Sequence, residues 1–385
     1  MAIPLKYNAR SMWVRWISTI MVIVVIAGVT VILTFWVAMG TGLEKTLVGT
    51  GHPLNLIVLR PRQTETTSMI DRAQAADIAA LDGIQKDAQG EPLASFELVA
   101  VAGHVLVNGK KSNLALRGIG PRSRTLRDGL RLIEGRWPNA GLGELAVGRG
   151  AMNRFTELKL GDQPFIRGRK WTVVGTFEAG GQAYESEVWG DIDDLKTQFK
   201  REYSTVIVRA RDSSSMDRIT RLIADDKRLQ LEARPHAEYY RSQNQSGEMM
   251  KSLGYMIGFV MAIGALFGAA NMMYAAVASR KREIATLRVL GFGRFSIGLS
   301  FVLESAFVGF CGGVLGAIAS RIFINGITSG TANWETFTDL SFNFQVTPDL
   351  MVTGVIMAVF VGAAGGLLPA WRASRTTIAH ALRGM

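Results

Sequence analysis

Cysteine is almost absent from this chain of 385 residues, and Cys311 is the only one. A disulfide needs two cysteines, so every folded part of a single chain must hold together without internal cross-links. Dithiol redox chemistry within one chain is excluded for the same reason. Cys311 itself lies inside a long apolar run and is predicted to be buried in a membrane.

The motifs of most catalytic and nucleotide-binding sites are also missing. No HExxH or G-x-S-x-G segment occurs. The pattern GxxxxGK[ST] around Gly109-Lys110 would need glycine at position 104 and a hydroxyl at position 111, where the chain has His104 and Lys111. His236 and Glu238 are two residues apart and are predicted to be a surface pair, with no metal bound. We therefore expect no catalysis, no metal and no cofactor bound by this chain.

Positive charge is abundant but unevenly placed. The formal charge is +11, which could indicate a nucleic-acid partner. Short segments that flank the apolar runs carry eleven cations, with Glu283 as their only acidic neighbour: Lys6, Arg10, Arg15, Arg280, Lys281, Arg282, Arg288, Arg294, Arg372, Arg375 and Arg383. Positive flanks of this kind mark the cytoplasmic side of a membrane protein. The charge pattern therefore predicts a membrane lipid environment and no nucleic acid.

Four apolar runs are long enough to cross a bilayer, which takes about 20 helical residues. The sequence therefore predicts a membrane protein of four transmembrane helices with a large mixed α/β extracytoplasmic domain between helices 1 and 2. The first run is expected to be a retained anchor, because its apolar core is too long for a cleaved signal. The predicted segments are a cytoplasmic amphipathic helix at 1–16, spans at 17–43, 251–278, 295–324 and 350–371, the domain at 44–250, a cytoplasmic coupling helix at 279–294, an extracytoplasmic loop at 325–349 and a cytoplasmic tail at 372–385.

The large domain shows strand and helix signals in alternation. Val99–Val107 and Ser112–Ile119 are predicted strands joined at Asn108-Gly109, a dipeptide typical of tight hairpin turns. The two ends of the domain each indicate a strand–helix–strand unit. The middle, from about 121 to 196, is rich in glycine and strand signals, so we predict two subdomains, with the central one inserted into the outer one.

The spans contain few polar groups and many small residues. Glu304 lies well inside the third run, where it is expected to bond to a neighbouring helix or to Asn271; a proton or ion role is the alternative. One acid cannot line a hydrophilic path, so a solute channel is not expected. Small residues four apart let helices approach closely, either within one chain or in the dimer that we favour. The glycines predicted to pack in this way include Gly254, Gly258, Gly264, Gly268, Gly312, Gly313 and Gly316.

The segment between the second and third spans carries the most specific pattern. Ile284, Leu287 and Leu290 recur along one ridge of a predicted helix, cations cluster at its start, and Gly291 suits its C-terminal end. A charged helix with an apolar ridge is typical of a docking element for a cytoplasmic partner. A generic positively charged loop is the alternative.

Arg282-Glu283-Ile284, Leu287-Arg288 and Leu290-Gly291 resemble the coupling segment of MacB/FtsX-type ABC permeases, the mechanotransmission class. Further stretches are similar to other parts of this family: Phe301–Ser305 with Gly312-Gly313 and Gly316, Gly365–Arg375 with Ala379 and Ala381–Arg383, Gly135–Trp137, and Trp171–Phe177. His380 stands where the family usually has glutamate.

The resemblance implies a permease that lacks a fused nucleotide-binding domain and works with a separate cytoplasmic ABC ATPase dimer, which would hold the ATP and Mg. It implies a second permease subunit, either a copy or a sister chain, in the bacterial inner membrane with both termini cytoplasmic. The expected contacts with the ATPase are Arg280, Lys281, Arg282, Glu283, Ile284, Leu287, Arg288, Leu290 and Gly291, with Arg372 and Arg375 secondary.

Two functions are compatible with this resemblance. The first is export of a periplasmic or membrane-derived peptide, lipid, lipoprotein or drug, with a periplasmic adaptor and an outer-membrane duct. The second is an FtsX-like regulatory role, in which the external domain controls a cell-wall hydrolase or a sensor. The large external domain favours export.

Overall fold

The computed structural model describes residues 16–333 and 336–374. The amphipathic helix predicted before Trp16 and the tail from Arg375 onward, including His380, lie outside the described residues. The chain divides into a helical unit and an α/β unit. The α/β unit comprises Gly42–Glu248 and Thr328–Asn343, and the helical unit comprises the rest.

The helices and strands are numbered in chain order. The helices are α1 (Trp16–Val48), α2 (Arg72–Ala79), α3 (Arg149–Arg154), α4 (Ile192–Phe199), α5 (Ser213–Asp225), α6 (His236–Ser242), α7 (Gln245–Ser279), α8 (Lys281–Val289), α9 (Arg294–Phe323) and α10 (Pro348–Ser374). The strands are β1 (Asn55–Leu59), β2 (Ala94–Val105), β3 (Lys111–Ile119), β4 (Arg131–Gly135), β5 (Glu144–Gly148), β6 (Phe165–Ile166), β7 (Arg169–Lys170), β8 (Thr172–Glu178), β9 (Glu187–Asp191), β10 (Thr205–Arg209), β11 (Glu232–Pro235), β12 (Thr328–Ala332) and β13 (Asp339–Asn343).

The helical unit contains the predicted spans. Four helices, α1, α7, α9 and α10, are long and apolar enough to cross a membrane. They begin and end within a few residues of the predicted runs, except that α1 and α7 extend beyond them into polar sequence. Because backbone groups in hydrocarbon can be satisfied only within a helix or a closed barrel, a continuous apolar run of this length specifies a helix.

Glycine lets these helices approach at backbone distance. A Cβ added to Gly362 on α10 would lie 2.6 Å from the carbonyl oxygen of Ser305 on α9, and Ser305 in turn donates a hydrogen bond to the Gly362 carbonyl. On the other side of α9, a Cβ on Gly316 would lie 2.7 Å from the Ala27 carbonyl oxygen of α1. Close backbone packing of this kind is the main source of helix association in lipid.

The α/β unit is built on one mixed sheet of nine strands in the order β11-β1-β10-β2-β3-β9-β5-β8-β4. One apolar core packs α2 and α5 beside β1, β10 and β11. A second core lies beside β3, β5, β8 and β9, and it is covered by α3 and α4. The subdomain predicted at about 121–196 supplies β5, β8 and β9 to the second core, which also includes residues of β2 and β3 that precede it. Its strands continue the same sheet through the β3–β9 pairing.

The segment predicted as an extracytoplasmic loop at 325–349 contains a hairpin. β12 and β13 pair antiparallel, and the hairpin belongs to the α/β unit. Asp339 accepts hydrogen bonds from Arg154 at 2.7 Å and from Ser112 at 3.0 Å. The hairpin also buries Leu340 and Phe342, so its fold depends on contacts with residues far away in the chain.

Candidate coupling site and a buried ion network

The coupling helix predicted between the second and third spans is α8. Its inward side is apolar: Ile284 and Ala285 are buried, and Ile284 lies in a cluster with Val277 of α7, Ile297 and Phe301 of α9 and Ala373 of α10. The helix is therefore packed against three of the four spans. Leu287 is partly buried against the same cluster.

The other side of α8 faces away from the bundle. Val289 and Leu290 are each 64% exposed, and Phe295, at the start of α9, is 81% exposed. Exposed large apolar side chains in a cationic, water-facing segment are typical of an interaction site. Lys281, Arg282 and Glu283 are also exposed.

A glycine-containing turn ends the helix. Gly291 has φ of +90°, a conformation that glycine adopts without strain, and Gly293 is the N-cap of α9. Phe292 donates its backbone N–H to the Leu287 carbonyl at 3.1 Å, as in a helix C-terminal cap.

Arg280 lies between α7 and α8 and does not face solvent. It is 6% exposed, and its two terminal nitrogens each donate to one carboxylate oxygen of Glu304 at 3.1 Å. Its guanidinium carbon also lies 5.8 Å from the centre of the Phe301 ring. Of the predicted ATPase contacts, Arg280 and Ile284 are thus buried inside their own bundle.

Glu304 was expected to bond to a neighbouring helix or to Asn271. It is bonded to Arg280, which directly follows α7, whereas Asn271 is exposed on α7. Sequence spacing could not show this contact because the two residues are 24 positions apart and a helix break at Arg280 intervenes.

The remaining predicted residues separate into three groups. Arg372 stacks on Tyr274 with its guanidinium carbon 5.1 Å from the ring centre, and Arg375 lies outside the described residues. Gly254, Gly258, Gly312 and Gly316 pack against α1, and Gly313 packs against α10. An added Cβ on Gly264 or Gly268 would meet nothing within 4 Å, so these two glycines line an open face of α7 together with Asn271.

The α/β unit contains a buried ion network that the sequence analysis missed. Arg117 on β3 donates hydrogen bonds to Glu65 at 2.8 Å, to Glu97 at 2.9 Å and to Glu187 at 2.7 Å. Arg127 adds a second guanidinium, with a bond of 2.6 Å to Glu97. All five side chains are at least nine-tenths buried.

The arginines of this network lower the pKa of the buried carboxylates. Burial alone would raise the pKa of Glu97, but Arg127 and Arg117 lower it to about 2. Burial likewise opposes ionisation of Glu65, and Arg117 nevertheless holds its pKa below the usual value. The two guanidinium groups therefore keep Glu65 and Glu97 ionised without solvent, at the cost of desolvating every group in the network.

His236 belongs to the surroundings of this network, so its prediction as a surface residue was wrong. It is 1% exposed, and its ring lies 3.2 Å from the Tyr184 hydroxyl. Burial lowers the pKa of His236 to about 3, so the ring is neutral at pH 7. The sequence did contain one usable signal, since Glu97 and Arg117 each lie inside an apolar stretch of a strand.

No group of three or more His, Cys, Asp or Glu side chains in residues 16–333 and 336–374 is arranged to hold a metal ion. The chemistry of both clusters is ion pairing between fixed charges. They position helices and strands and offer no open coordination site.

Comparison with known proteins identifies two matching family models. Residues 17–225 match the MacB-like periplasmic core domain, and residues 255–378 match the FtsX-like permease C-terminal model. An uncharacterised ABC transporter permease of Methanocaldococcus jannaschii is 26% identical over 66% of this chain and 66% of its own length. The macrolide export ATP-binding/permease protein MacB of Hyphomonas neptunium is 28% identical over 58% of this chain and 36% of that protein.

The chain thus spans about two thirds of the archaeal relative and about a third of the MacB relative. Among solved structures, the periplasmic region of MacB from Actinobacillus actinomycetemcomitans matches with a TM-score of 0.37 and 13% identity, over 51% of this chain and 95% of that one. The matched models cover the α/β unit and the spans in the order in which the structure has them. The chain belongs to the MacB-like and FtsX-like family of ABC transporter permeases.

Proposed function

We propose that this chain is the non-catalytic permease subunit of an ABC transporter that exports a periplasmic or membrane-derived substrate. A partner ATPase would bind the ATP and Mg, and its movement would be passed through the spans to the periplasmic-type domain. The observation that carries this proposal is α8, a short helix with its inner side packed against three spans and its outer side exposed.

The outer side of α8 is suited to an ATPase surface with an apolar groove and acidic margins. Val289, Leu290 and Phe295 would enter the groove, and Lys281 and Arg282 would lie at its edge. Exposed apolar anchors surrounded by charges are the usual centre of a protein interface. Arg280 and Ile284 would support the helix from within.

The spans favour mechanical coupling over passage through the bundle. Glu304 is held by Arg280 and packed among apolar side chains, so it does not line a water-filled path. Export is favoured by the MacB-like periplasmic core model and by relatives described as macrolide exporters. An adaptor and an outer-membrane duct would complete that route.

A second permease subunit would cover the open face of α7. Gly264 and Gly268 leave room for another helix backbone, and Asn271 next to them is a poor neighbour for lipid. An asparagine both donates and accepts hydrogen bonds, so a second copy of the same helix could satisfy it across a twofold axis. The bacterial inner membrane with cytoplasmic termini is the location that fits these partners.

The test is the affinity of the partner ATPase for the full chain in lipid nanodiscs. Leu290→Asp should weaken ATPase binding at least tenfold, because a carboxylate would replace an apolar anchor in the groove. Leu222→Asp is the matched control, since Leu222 is 43% exposed on α5 of the other unit. Equal binding by both variants would contradict docking at α8.

Cross-linking during turnover separates export from regulation. If the chain exports, an analogue of a periplasmic substrate should cross-link to the α/β unit, and its release should depend on ATP. A chain that instead activates a co-purified cell-wall hydrolase, with no such release, would refute the export role.

A further inference from the structure

The pair between Arg280 and Glu304 stands between the exposed helix α8 and the two-helix pair α9–α10. Both side chains are buried, at 8% and 6% exposure, and the contact is bidentate. Glu304 lies ten residues after the start of α9, about 15 Å along the helix. The ion pair therefore joins Arg280 to the interior of α9 and not to its first turn.

The covalent connection between α8 and α9 is weak by comparison. It runs through Leu290, Gly291, Phe292 and Gly293, and added Cβ atoms on the two glycines would meet nothing within 4 Å. Phe292 between them packs against the cluster that contains Ile284. The backbone at the two glycines can still rotate without a steric cost, so the turn transmits little force. Movement of α8 must reach α9 mainly through side chains.

Among the described residues, side-chain contacts of two kinds, apolar and ionic, join α8 to α9. Ile284 makes an apolar contact with the cluster of Ile297 and Phe301 on α9. Apolar contacts are non-directional, so they tolerate sliding. The bidentate ion pair fixes both distance and orientation, and such pairs add geometric specificity to binding.

α9 is in turn joined rigidly to α10. Ser305, the residue next to Glu304, donates to the Gly362 carbonyl, and a Cβ added to Gly366 would lie 2.8 Å from the Ser305 Cβ. Glu304 thus occupies the point on α9 where α9 and α10 are in backbone contact. A force applied to Glu304 moves both helices.

We propose that Arg280 and Glu304 are positioning residues that lock α8 to α9, so that displacement of α8 is delivered to the α9–α10 pair. The inference rests on the proposed function and assigns Arg280 a role inside the bundle instead of at the ATPase surface. The exposed residues of α8 would bind the ATPase, and the buried pair would transmit the displacement of α8 to α9 and α10.

The first experiment needs no ATPase. Spin labels are placed at Val289 on α8 and Leu299 on α9, which are 64% and 44% exposed, in a full chain with Cys311 replaced by serine. Their distance distribution is measured in nanodiscs by pulsed electron resonance. Glu304→Gln should at least double the width of the distribution, while Arg321→Ala should leave it unchanged. Arg321 is the matched control because it bonds to a backbone carbonyl at the other end of α9.

The second experiment measures coupling with the ATPase that purifies with the chain. Glu304→Gln should reduce the stimulation of ATP turnover at least tenfold and leave the affinity for the ATPase within twofold. Arg280→Glu combined with Glu304→Arg should restore at least part of the stimulation. Arg280→Lys, which keeps the charge and loses the fork, should be intermediate.

Several results would overturn the inference. An unchanged label distribution, or stimulation within twofold of the wild type, would show that the pair only stabilises the bundle. A parallel loss of ATPase affinity would show that Arg280 acts at the docking surface. If the wild-type chain itself does not stimulate the ATPase, the proposed function fails, and the label distances still decide whether Glu304 holds α8.

Discussion

Removal of Arg117 should be the most damaging single change in the α/β unit. Arg117 donates five hydrogen bonds to three buried carboxylates. In Arg117→Met, Glu97 keeps its bonds to Arg127, Glu65 keeps only a hydroxyl bond from Tyr240, and Glu187 keeps an indole bond from Trp189. Two carboxylates would therefore lose their guanidinium while remaining buried.

The size of the effect follows from these contacts. Removing one partner of a buried ion pair costs about 3–5 kcal/mol, because an uncompensated charge remains. Since two carboxylates are affected here, we expect a loss at the upper end, about 5 kcal/mol at pH 7. That is a large fraction of the stability of an ordinary domain, which is about 5–15 kcal/mol.

The loss should also depend on pH. A buried carboxylate without its cation takes up a proton to escape the desolvation cost. The difference between Arg117→Met and the wild type should therefore shrink as pH falls from 7 to 5.

Hydrogen–deuterium exchange of the full chain in nanodiscs measures this locally. Peptides from β3 and β9 report the free energy of opening of the sheet around Arg117. Arg211→Met is the matched control, because Arg211 makes an equally short bond of 2.8 Å to Asp82 but both partners are more than half exposed. Exposed pairs contribute at most about 1 kcal/mol. The reasoning is refuted if the free energies of opening of the two variants differ by less than 1 kcal/mol. It is also refuted if the stability lost in Arg117→Met does not vary with pH.

Two further outcomes are expected. The pKa of Glu97 is lowered from 4.5 to about 2, so its contribution is complete above pH 4.5 and disappears as pH falls toward 2. At about 1.36 kcal/mol per pKa unit this amounts to about 3 kcal/mol, and an exchange profile of β2 that is flat between pH 5 and pH 3 would contradict it. In the spans, Gly316→Leu should prevent assembly of the helices, because its Cβ meets the Ala27 carbonyl, whereas Gly264→Leu should leave the single chain folded and abolish dimers. Single-molecule photobleaching in nanodiscs counts the subunits, and a dimeric Gly264→Leu protein would exclude the open face of α7 as the interface.

The spans were predictable because their signal is local. In hydrocarbon a long apolar run must form a helix to satisfy its backbone hydrogen bonds. The helices α1, α7, α9 and α10 therefore coincide with the apolar runs of the sequence. The hairpin at Asn108-Gly109 was predictable for a similar reason, since Gly109 has φ of +81° in the turn between β2 and β3.

The contacts between distant segments were not predictable. β9 joins β3 in parallel across 72 residues, and this pairing places strands of both predicted subdomains in one sheet. Arg280 was expected at a docking surface because cations next to a span usually face water. A helix break of one residue turned its side chain inward instead. Periodicity shows which face of its own helix a side chain occupies. It cannot show the direction in which the next helix runs.

The hairpin β12–β13 has a consequence for how the protein is made. Asp339 and Arg154 are 185 residues apart in the chain, and α7, α8 and α9 are translated between them. A nascent chain that has finished β11 already contains most of the α/β unit, yet the guanidinium of Arg154 still lacks its carboxylate. The ribosome must reach Asn343 before the α/β unit is complete. The α/β unit can therefore finish folding only after the third span has been synthesised.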